Sequence, residues 1–452
     1  MVEASKAVAN GDSMLVVGGA GTGKTWWLRQ TVDHLRQQNK NVLVVAPTGN
    51  AAINCGGFTI HRAFDLRPTT NLFSATAYLS PLIEGLLAEI DVLIIDEISM
   101  VPAPLLDQVA LRLQKTRGSR DASDLDGFSH AFGGRQVILV GDPFQIQPIK
   151  NGDMGMHLEE FGYKSIWWFS SKTYDPSKLR HIEFRHNFRQ DDSQYIDALT
   201  NLRRGRTLLK IFDFFLKRHN PPHSGQSRES IHLVATNREV GQINQERLGA
   251  ISSPERTSEL FWEKKPPEGD STPQGIPTTL SFKVGARIVL TKNKYNEEGK
   301  VIWVNGSTGT IVEIDPAQGS HVNTIVVQFD KGGRQRVGRE TFEEHRPKLI
   351  KGDGEDVKSR IEYELESSAI QFPFSLGWAM TIHKSQGATL DSATVDLSRV
   401  FQAGMTYVAL SRTREVADLS IVGEAFAEKH VKNIDPLLDE YMTKWFDHHL
   451  EI

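Results

Sequence analysis

A glycine-rich segment near the N-terminus has the pattern of a phosphate-binding loop. Residues 18–25 read GGAGTGKT, which fits G-x-x-x-x-G-K-[ST]. A predicted strand precedes the loop and a predicted helix follows it, so backbone N–H groups and the helix N-terminus can converge on phosphates. This context favours a nucleotide site over a chance glycine-rich turn. Lys24 can reach the β- and γ-phosphates, and the Thr25 hydroxyl can bind Mg²⁺. The other residues expected to line the phosphates are Gly19, Ala20, Gly21, Thr22 and Gly23.

An acidic pair follows the apolar run at 92–95. Asp96 and Glu97 would lie at the carboxyl edge of a parallel sheet, beside the phosphate-binding loop. Asp96 would hold Mg²⁺ directly or through water, and Glu97 would orient and deprotonate an attacking water. The alternative is a strand-end acidic pair that only caps a helix. The pair favours hydrolysis over transfer to a small acceptor.

A third polar turn, VGDPFQIQP at 140–148, follows another apolar run. The uncharged amide of Gln145 could detect a γ-phosphate without adding charge. Phe144 could stack on a nucleic-acid base, because single-strand binders use aromatic faces in this way, or it could pack beneath the loop. The turn could also lack a function.

Short β-branched runs that alternate with helical stretches predict an α/β fold with parallel sheets covered on both faces. A separate stretch, 281–342, has short alternating strands with Asn-Gly and Gly-Gly turns, which indicate a small antiparallel barrel. Residues 264–280 are rich in Pro, Gly and Thr and are typical of a linker. The candidate strands are 14–17, 42–46, 92–95, 137–140, 182–184, 231–235 and 394–397, and a helix is expected at 25–38.

Bulk composition excludes several classes of protein. With 52 basic and 56 acidic residues the formal charge is −4, so a nucleic-acid partner would need a local groove. No apolar run approaches the roughly 20 residues of a membrane span, and zinc-ligand spacing is absent. The single cysteine, Cys55, excludes an internal disulfide and fits an intracellular protein, cytoplasmic or nucleoid-associated if bacterial.

These three segments and four others resemble superfamily 1B DNA helicases of the Pif (petite integration frequency) type and their RecD-like relatives. The resemblance covers nearly the whole chain in the expected order. The last two segments are the most specific, since few other ATPases carry either one. The matching segments are 18–25, 46–52 with 59–61, 95–100, 132–136 leading into 141, 187–190, 378–387 and 407–412.

The resemblance implies two RecA-like domains with ATP and Mg²⁺ between them and single-stranded DNA across their tops. It implies a first domain at 1–178 with a short strand-separating insert at 62–80. The second domain would comprise 179–263 and 358–452, with a linker and an SH3-like barrel at 264–357. Movement would be 5′ to 3′, on single-stranded, forked or structured DNA, including quadruplexes or RNA–DNA hybrids, and we expect a monomer. Phe73 and Tyr78 in the insert could wedge the duplex apart.

Further site residues come from matching motifs. Arg189 and Arg412 would act as arginine fingers on the γ-phosphate, although as structural residues they would be solvated or paired. Gly387 would allow close approach to that phosphate. His61 and His383 could equally be core histidines. The residues that the resemblance assigns to DNA are Thr48, Thr59, His61, Thr381, His383 and Lys384.

Other observations leave alternatives open. The family's adenine-reading glutamine upstream of the loop is not found in residues 1–13, so base selectivity is in doubt. We expect the pairs Trp26-Trp27 and Trp167-Trp168 to be core residues. Rival functions are a DNA-stimulated translocase that remodels protein–DNA complexes, a RecD-like subunit without autonomous unwinding, a small-acceptor phosphotransferase and a passive binder. A phosphotransferase would leave residues 381–387 and 407–412 unexplained.

Overall fold

The computed structural model divides into two compact units. The first contains Met1–Phe188, His345–Glu364 and Ile434–Ile452, and the second contains Arg189–Glu344 and Leu365–Asn433. The described residues are 1–66, 79–116, 130–148, 152–205, 208–217, 230–266, 272–298, 300–315, 322–351, 359–398, 400, 402, 404–423, 426–427, 430–431 and 435–447.

A parallel sheet organises the first unit. Six strands of its described part are hydrogen-bonded in the order β3-β2-β4-β5-β1-β6, and every pairing is parallel. Parallel pairing brings the carboxyl ends of the strands to one edge, where loops carry function. The strands are β1 Met14–Gly18, β2 Val42–Ala46, β3 Phe58–Thr59, β4 Val92–Ile95, β5 Gln136–Gly141 and β6 Arg180–Phe184.

Both faces of this sheet are buried. Along β1, Leu15 and Val17 lie in one apolar cluster, whereas Met14 and Val16 lie in the cluster on the other face. Side chains alternate between the faces of a strand, so an uninterrupted apolar run fits a sheet covered on both sides. The predicted α/β fold is thereby confirmed. The helices of residues 1–188 are α1 Val2–Ala9, α2 Lys24–Gln37, α3 Gly49–Cys55, α4 Ile60–Ala63, α5 Pro81–Ala88, α6 Ala103–Lys115 and α7 Gly152–Glu160, and short 3₁₀ turns span Ile98–Met100, Trp168–Ser170 and Pro176–Lys178.

The second unit contains its own parallel sheet and an antiparallel one. In its described residues, four parallel strands are ordered β20-β7-β21-β22, and five antiparallel strands are ordered β16-β15-β14-β11-β19. The strands that follow residue 189 in the chain are β7 Ile231–Val234, β8 Arg256–Glu259, β9 Phe261–Lys264, β10 Thr279–Phe282, β11 Arg287–Leu290, β12 Lys294–Tyr295, β13 Val301–Trp303, β14 Thr308–Ile314, β15 Thr324–Phe329, β16 Arg334–Gly338, β17 Glu340–Ile350, β18 Arg360–Gln371, β19 Phe374–Leu376, β20 Ala379–Thr381, β21 Ala393–Asp396 and β22 Leu419–Val422. The helices of the second unit are α8 Ser193–Arg204, α9 Leu208–Leu216, α10 Asn237–Gly249 and α11 Met405–Leu410, with 3₁₀ turns at Pro273–Gly275 and Val416–Asp418.

Strand pairing departs from the expected domain limits in three places, and the first unit also includes His345–Glu364 and Ile434–Ile452, which the expected limits place in the barrel and the second domain. The strand β6, expected in the second domain, pairs with β1 and completes the first unit's sheet, where Phe184 packs edge-on against Trp27. The predicted linker contributes β10, which pairs with β8, and the antiparallel sheet takes its edge strand β19 from beyond residue 357.

The C-terminal residues also belong to the first unit. The helix α12 Pro436–Met442 is followed by a π-helical turn at Thr443–Asp447. The Trp167 indole N–H donates to an Asp435 carboxylate oxygen at 2.8 Å, and the Tyr441 ring stacks on Phe169. Among the described residues, none of the helices is both long and apolar enough for a membrane span.

Candidate active site

The phosphate-binding loop is held closed by its own side chains. Lys24 Nζ donates to the carbonyls of Gly18 at 2.7 Å and Gly19 at 3.0 Å, and the Thr22 hydroxyl donates to Gly19 O at 2.8 Å. Gly21 and Gly23 have positive φ angles of 80° and 81°, a conformation that favours glycine. The loop therefore has the backbone curvature that turns successive N–H groups toward an anion.

Strand register brings the acidic pair to the same edge as this loop. Val17 is aligned with Gly141 in the β1–β5 pair, and Ile95 with Leu139 in the β4–β5 pair. Asp96 and Glu97 therefore follow β4 at the edge where the loop follows β1. Their position directly after an apolar run predicted this location, and the strand order explains how residues about seventy positions apart meet.

Burial dominates the electrostatics of Asp96. Desolvation raises the pKa of its carboxyl to about 6, although the Glu97 backbone N–H, 2.9 Å from Asp96 Oδ1, and the charge of Lys24 both oppose that rise. A buried carboxylate gains most from a cation placed against it. Glu97 has a positive φ of 52°, and left-handed non-glycine residues concentrate at functional sites.

These residues fit Mg²⁺ only in company with a nucleotide. No group of three or more His, Cys, Asp or Glu side chains in the described residues could hold a metal alone. Mg²⁺ commonly uses one or two protein oxygens together with substrate phosphates and water. Thr25, exposed at the start of α2, and Asp96 supply such a minimal set.

The turn after β5 contains two candidate residues, Gln145 and Phe144, which have different surroundings. Gln145 is buried, and its amide donates to Asp142 Oδ2 at 3.2 Å, so the amide is anchored at the same sheet edge. Phe144 is only 5% exposed and belongs to the apolar core under the sheet. Base stacking by Phe144 is therefore not available in this conformation, and the packing alternative accounts for the residue.

The first unit's DNA candidates lie at the carboxyl ends of β2 and β3. The Thr48 hydroxyl caps α3 by accepting from Ala51 N at 3.3 Å, and the Thr59 hydroxyl caps α4 by accepting from Arg62 N at 3.4 Å. His61 is half-buried, and burial lowers its pKa. The two threonines therefore have a local structural role in addition to any contact with DNA.

The second unit's candidates cluster after β20. Thr381 is buried, and its hydroxyl accepts from Lys384 N at 3.1 Å, while the Lys384 side chain is exposed. Burial lowers the pKa of His383, and a hydrogen bond with Gln402 partly offsets that effect. Gly387 has a φ of 78°.

The two candidate arginines converge on one turn of the second unit. Arg412 is 1% exposed, and its guanidinium donates to Val408 O at 2.6 Å and to Ser385 O at 3.0 Å. Arg189 donates to Ser411 O at 3.1 Å. The structure thus joins the segments 381–388 and 407–412, which in the sequence are connected only through the family resemblance.

Sequence reasoning missed one aromatic residue beside the phosphate-binding loop. The Phe188 backbone N–H donates to Gly21 O at 2.8 Å, and its ring is 63% exposed. Within residues 187–190 the family motif points to Arg189, although the neighbouring Phe188 is equally visible in the sequence. Of the tryptophans expected in the core, Trp27, Trp167 and Trp168 are buried, whereas Trp26 is 62% exposed. Phe73 and Tyr78 lie outside the described residues.

A parallel sheet with this loop, a buried aspartate and an adjacent glutamate at its carboxyl edge defines a P-loop nucleoside triphosphatase. Comparison with known proteins narrows that class. The family model of PIF1-like helicases matches residues 1–210. The ATP-dependent DNA helicase Pif1 of Bdellovibrio bacteriovorus is 29% identical over 419 residues, which cover 92% of this chain and 85% of that protein.

Solved structures agree with that match. Pif1 from Bacteroides sp in complex with ADP-AlF4 is 28% identical and has a TM-score of 0.80, over 99% of this chain and 96% of that one. Bacteroides Pif1 bound to ssDNA is 28% identical with a TM-score of 0.64, over the same shares of both chains. The chain belongs to the Pif1-like helicases.

Proposed function

We propose that this ATP-dependent DNA helicase of the Pif1-like family moves 5′ to 3′ along single-stranded DNA. The ATP-driven part of the proposal rests on the meeting of the phosphate-binding loop with Asp96, Glu97 and Gln145 at one sheet edge, and the 5′ to 3′ direction rests on the family resemblance. That arrangement supplies phosphate binding, a magnesium ligand, a base for water and an uncharged contact to the γ-phosphate.

Each residue has a distinct part in hydrolysis. Lys24 neutralises charge on the β- and γ-phosphates, while Thr25 and Asp96 would hold Mg²⁺, which would polarise the phosphates when bound. Glu97 orients the attacking water and accepts its proton. As the family resemblance implies, Arg189 and Arg412 would stabilise the charge that develops on the γ-phosphate.

DNA is the track in this proposal. One DNA strand would be contacted by residues of both units, chiefly through its backbone. These residues are Thr48, Thr59 and His61 of the first unit and the 381–384 segment of the second. The DNA-bound Bacteroides relative supports this role for the fold. We further propose an intracellular monomer with an SH3-like barrel in the second unit. It would act on forked and structured DNA, quadruplexes and RNA–DNA hybrids included. Residues 67–78 of the expected strand-separating insert at 62–80 lie outside the described residues.

Tailed duplexes test the proposed polarity. One fluorescently labelled duplex of about 20 base pairs would be prepared with a 5′ single-stranded tail, a 3′ tail of the same sequence or no tail. With ATP and Mg²⁺ we expect strand separation of the 5′-tailed duplex at a rate at least roughly tenfold above either control, because only that tail lets the motor approach the junction. The non-hydrolysable analogue AMP-PNP should support no separation.

Two results would contradict this proposal. Preferential separation of the 3′-tailed duplex would reverse the polarity. Displacement of streptavidin from a single strand, without separation of any duplex, would favour the translocase that remodels protein–DNA complexes.

A further inference from the structure

The turn that carries Arg412 is fixed by hydrogen bonds to its backbone. Each carbonyl from Leu410 to Thr413 accepts at least one bond from another segment of the second unit. The Arg412 carbonyl accepts from Leu390 N at 3.0 Å, and Thr413 also forms an isolated parallel bridge with Leu390. The other three carbonyls accept from side chains. The backbone that carries Arg412 is therefore held from outside the turn.

Gln190 supplies two of those bonds. Its side-chain amide donates to Ser411 O at 3.2 Å and to Thr413 O at 2.8 Å, so the two donors of one NH₂ group bracket Arg412. The Gln190 side chain is 1% exposed. A buried amide that satisfies two buried carbonyls fixes their separation and orientation, because losing it would leave both acceptors without that donor.

Tyr195, in the first turn of α8, forms a second set of hydrogen bonds with residues 410–413. Its hydroxyl donates to Leu410 O and shares a hydrogen bond of 3.0 Å with the Thr413 hydroxyl. Tyr195 is fully buried, and Phe214 stacks on its ring. Gln190 and Tyr195 thus hold the backbone immediately before and after Arg412.

We propose that Gln190 and Tyr195 are positioning residues that hold the Arg412 turn in the geometry required for hydrolysis. This inference rests on the proposed role of Arg412 in the ATPase reaction. Small displacements of a charge-stabilising group reduce the rate steeply, since its effect depends on preorganised geometry. The two residues therefore act on turnover through the backbone of residues 410–413, without contacting the nucleotide.

Two single variants separate this role from general stability. Gln190→Leu keeps the approximate volume and removes both donors, and Tyr195→Phe removes only a hydroxyl. We expect Gln190→Leu to lower kcat for ATP about tenfold and Tyr195→Phe about threefold, with KM for ATP changed by less than about twofold. The matched control is Tyr441→Phe, which removes a buried hydroxyl that bonds Tyr174 in the first unit and should leave kcat within about twofold.

A double-mutant cycle with Arg412→Lys supplies the decisive readout. Single-turnover hydrolysis of radiolabelled ATP would be measured for wild type, Gln190→Leu, Arg412→Lys and the double variant. If Gln190 acts through Arg412, its roughly tenfold effect should shrink to less than about twofold in the Arg412→Lys background. Thermal unfolding of each variant would be recorded beside it.

A full-sized Gln190→Leu effect in both backgrounds, or an unchanged kcat in both single variants, would overturn the positioning role. If Gln190→Leu does not fold, the same cycle with Tyr195→Phe decides the question. If DNA does not change the rate of ATP hydrolysis by the wild type, the helicase proposal is contradicted but the positioning role is not. The double-mutant cycle can still be measured on DNA-independent hydrolysis.

Discussion

Replacing Lys24 by alanine is expected to lower ATP turnover by at least about 10³-fold. Removing one preorganised donor to developing charge commonly lowers the rate by roughly 10²- to 10³-fold, and Lys24 also contributes a full positive charge. Its ammonium already lies at the loop, within 3.0 Å of the Gly18 and Gly19 carbonyls. Steady-state phosphate release would measure the loss. Binding of fluorescent single-stranded DNA should change by less than about threefold, since the proposed DNA contacts lie elsewhere.

Lys40→Ala is the matched control for this variant. Lys40 is exposed and precedes β2, so it lies at the end of the sheet opposite the phosphate-binding loop. The control should keep wild-type turnover and DNA binding. Turnover retained in Lys24→Ala would contradict the assignment of the nucleotide site, and a comparable loss in Lys40→Ala would show that the effect is not specific to the loop.

Arg412→Lys is expected to lower kcat by at least about 10²-fold while weakening ATP binding by less than about threefold, because arginine fingers act mainly on the transition state. Lysine keeps the positive charge but lacks the planar set of donors. Lysine is a better test than alanine here. The Arg412 guanidinium also satisfies the Val408 and Ser385 carbonyls, which alanine would leave without that donor.

The matched control is Arg414→Lys, two residues further along and exposed. Its kcat should remain within about twofold of wild type. ATP affinity would be measured by titration with a fluorescent ATP analogue, and kcat by phosphate release at saturating ATP. Equal losses of affinity and kcat in Arg412→Lys would mean that the arginine is only a ground-state contact.

The strands of the first unit's sheet could be predicted from the sequence for a physical reason. Parallel strands buried on both faces are uninterrupted apolar runs, and the runs 14–17, 42–46 and 92–95 each became a strand with at most one residue of difference. The residues that follow such strands meet at one edge whatever their separation in sequence. Lys24, Asp96 and Gln145 could therefore be placed together before their neighbours were known.

Pairing partners were harder to predict, because a short apolar run does not encode the strand beside which it will lie. The family resemblance places the run at 182–184 in the second domain, yet this run forms β6 and pairs with β1 in the first unit's sheet. The solvent exposure of side chains within a motif was equally hard to predict from the sequence. Phe144 and Trp26 sit in comparable polar surroundings in sequence, but one is core and the other is solvent-exposed.

The hydrogen bonds of Gln190 had no sequence signature either. Its partners, the Ser411 and Thr413 carbonyls, lie more than two hundred residues away. Backbone acceptors are present at every position, so no residue type marks the ones that a side chain will reach. Only the fold shows that these two acceptors flank a candidate catalytic arginine.

The most direct test of a DNA-driven motor is the ATPase rate of the wild-type chain with and without single-stranded DNA. We expect saturating oligonucleotide to raise kcat by at least about tenfold, because a DNA-driven motor hydrolyses ATP faster when DNA favours its hydrolysis-competent state. An oligonucleotide shown to bind by anisotropy, but leaving the rate of phosphate release unchanged, would contradict the proposed coupling between DNA binding and hydrolysis.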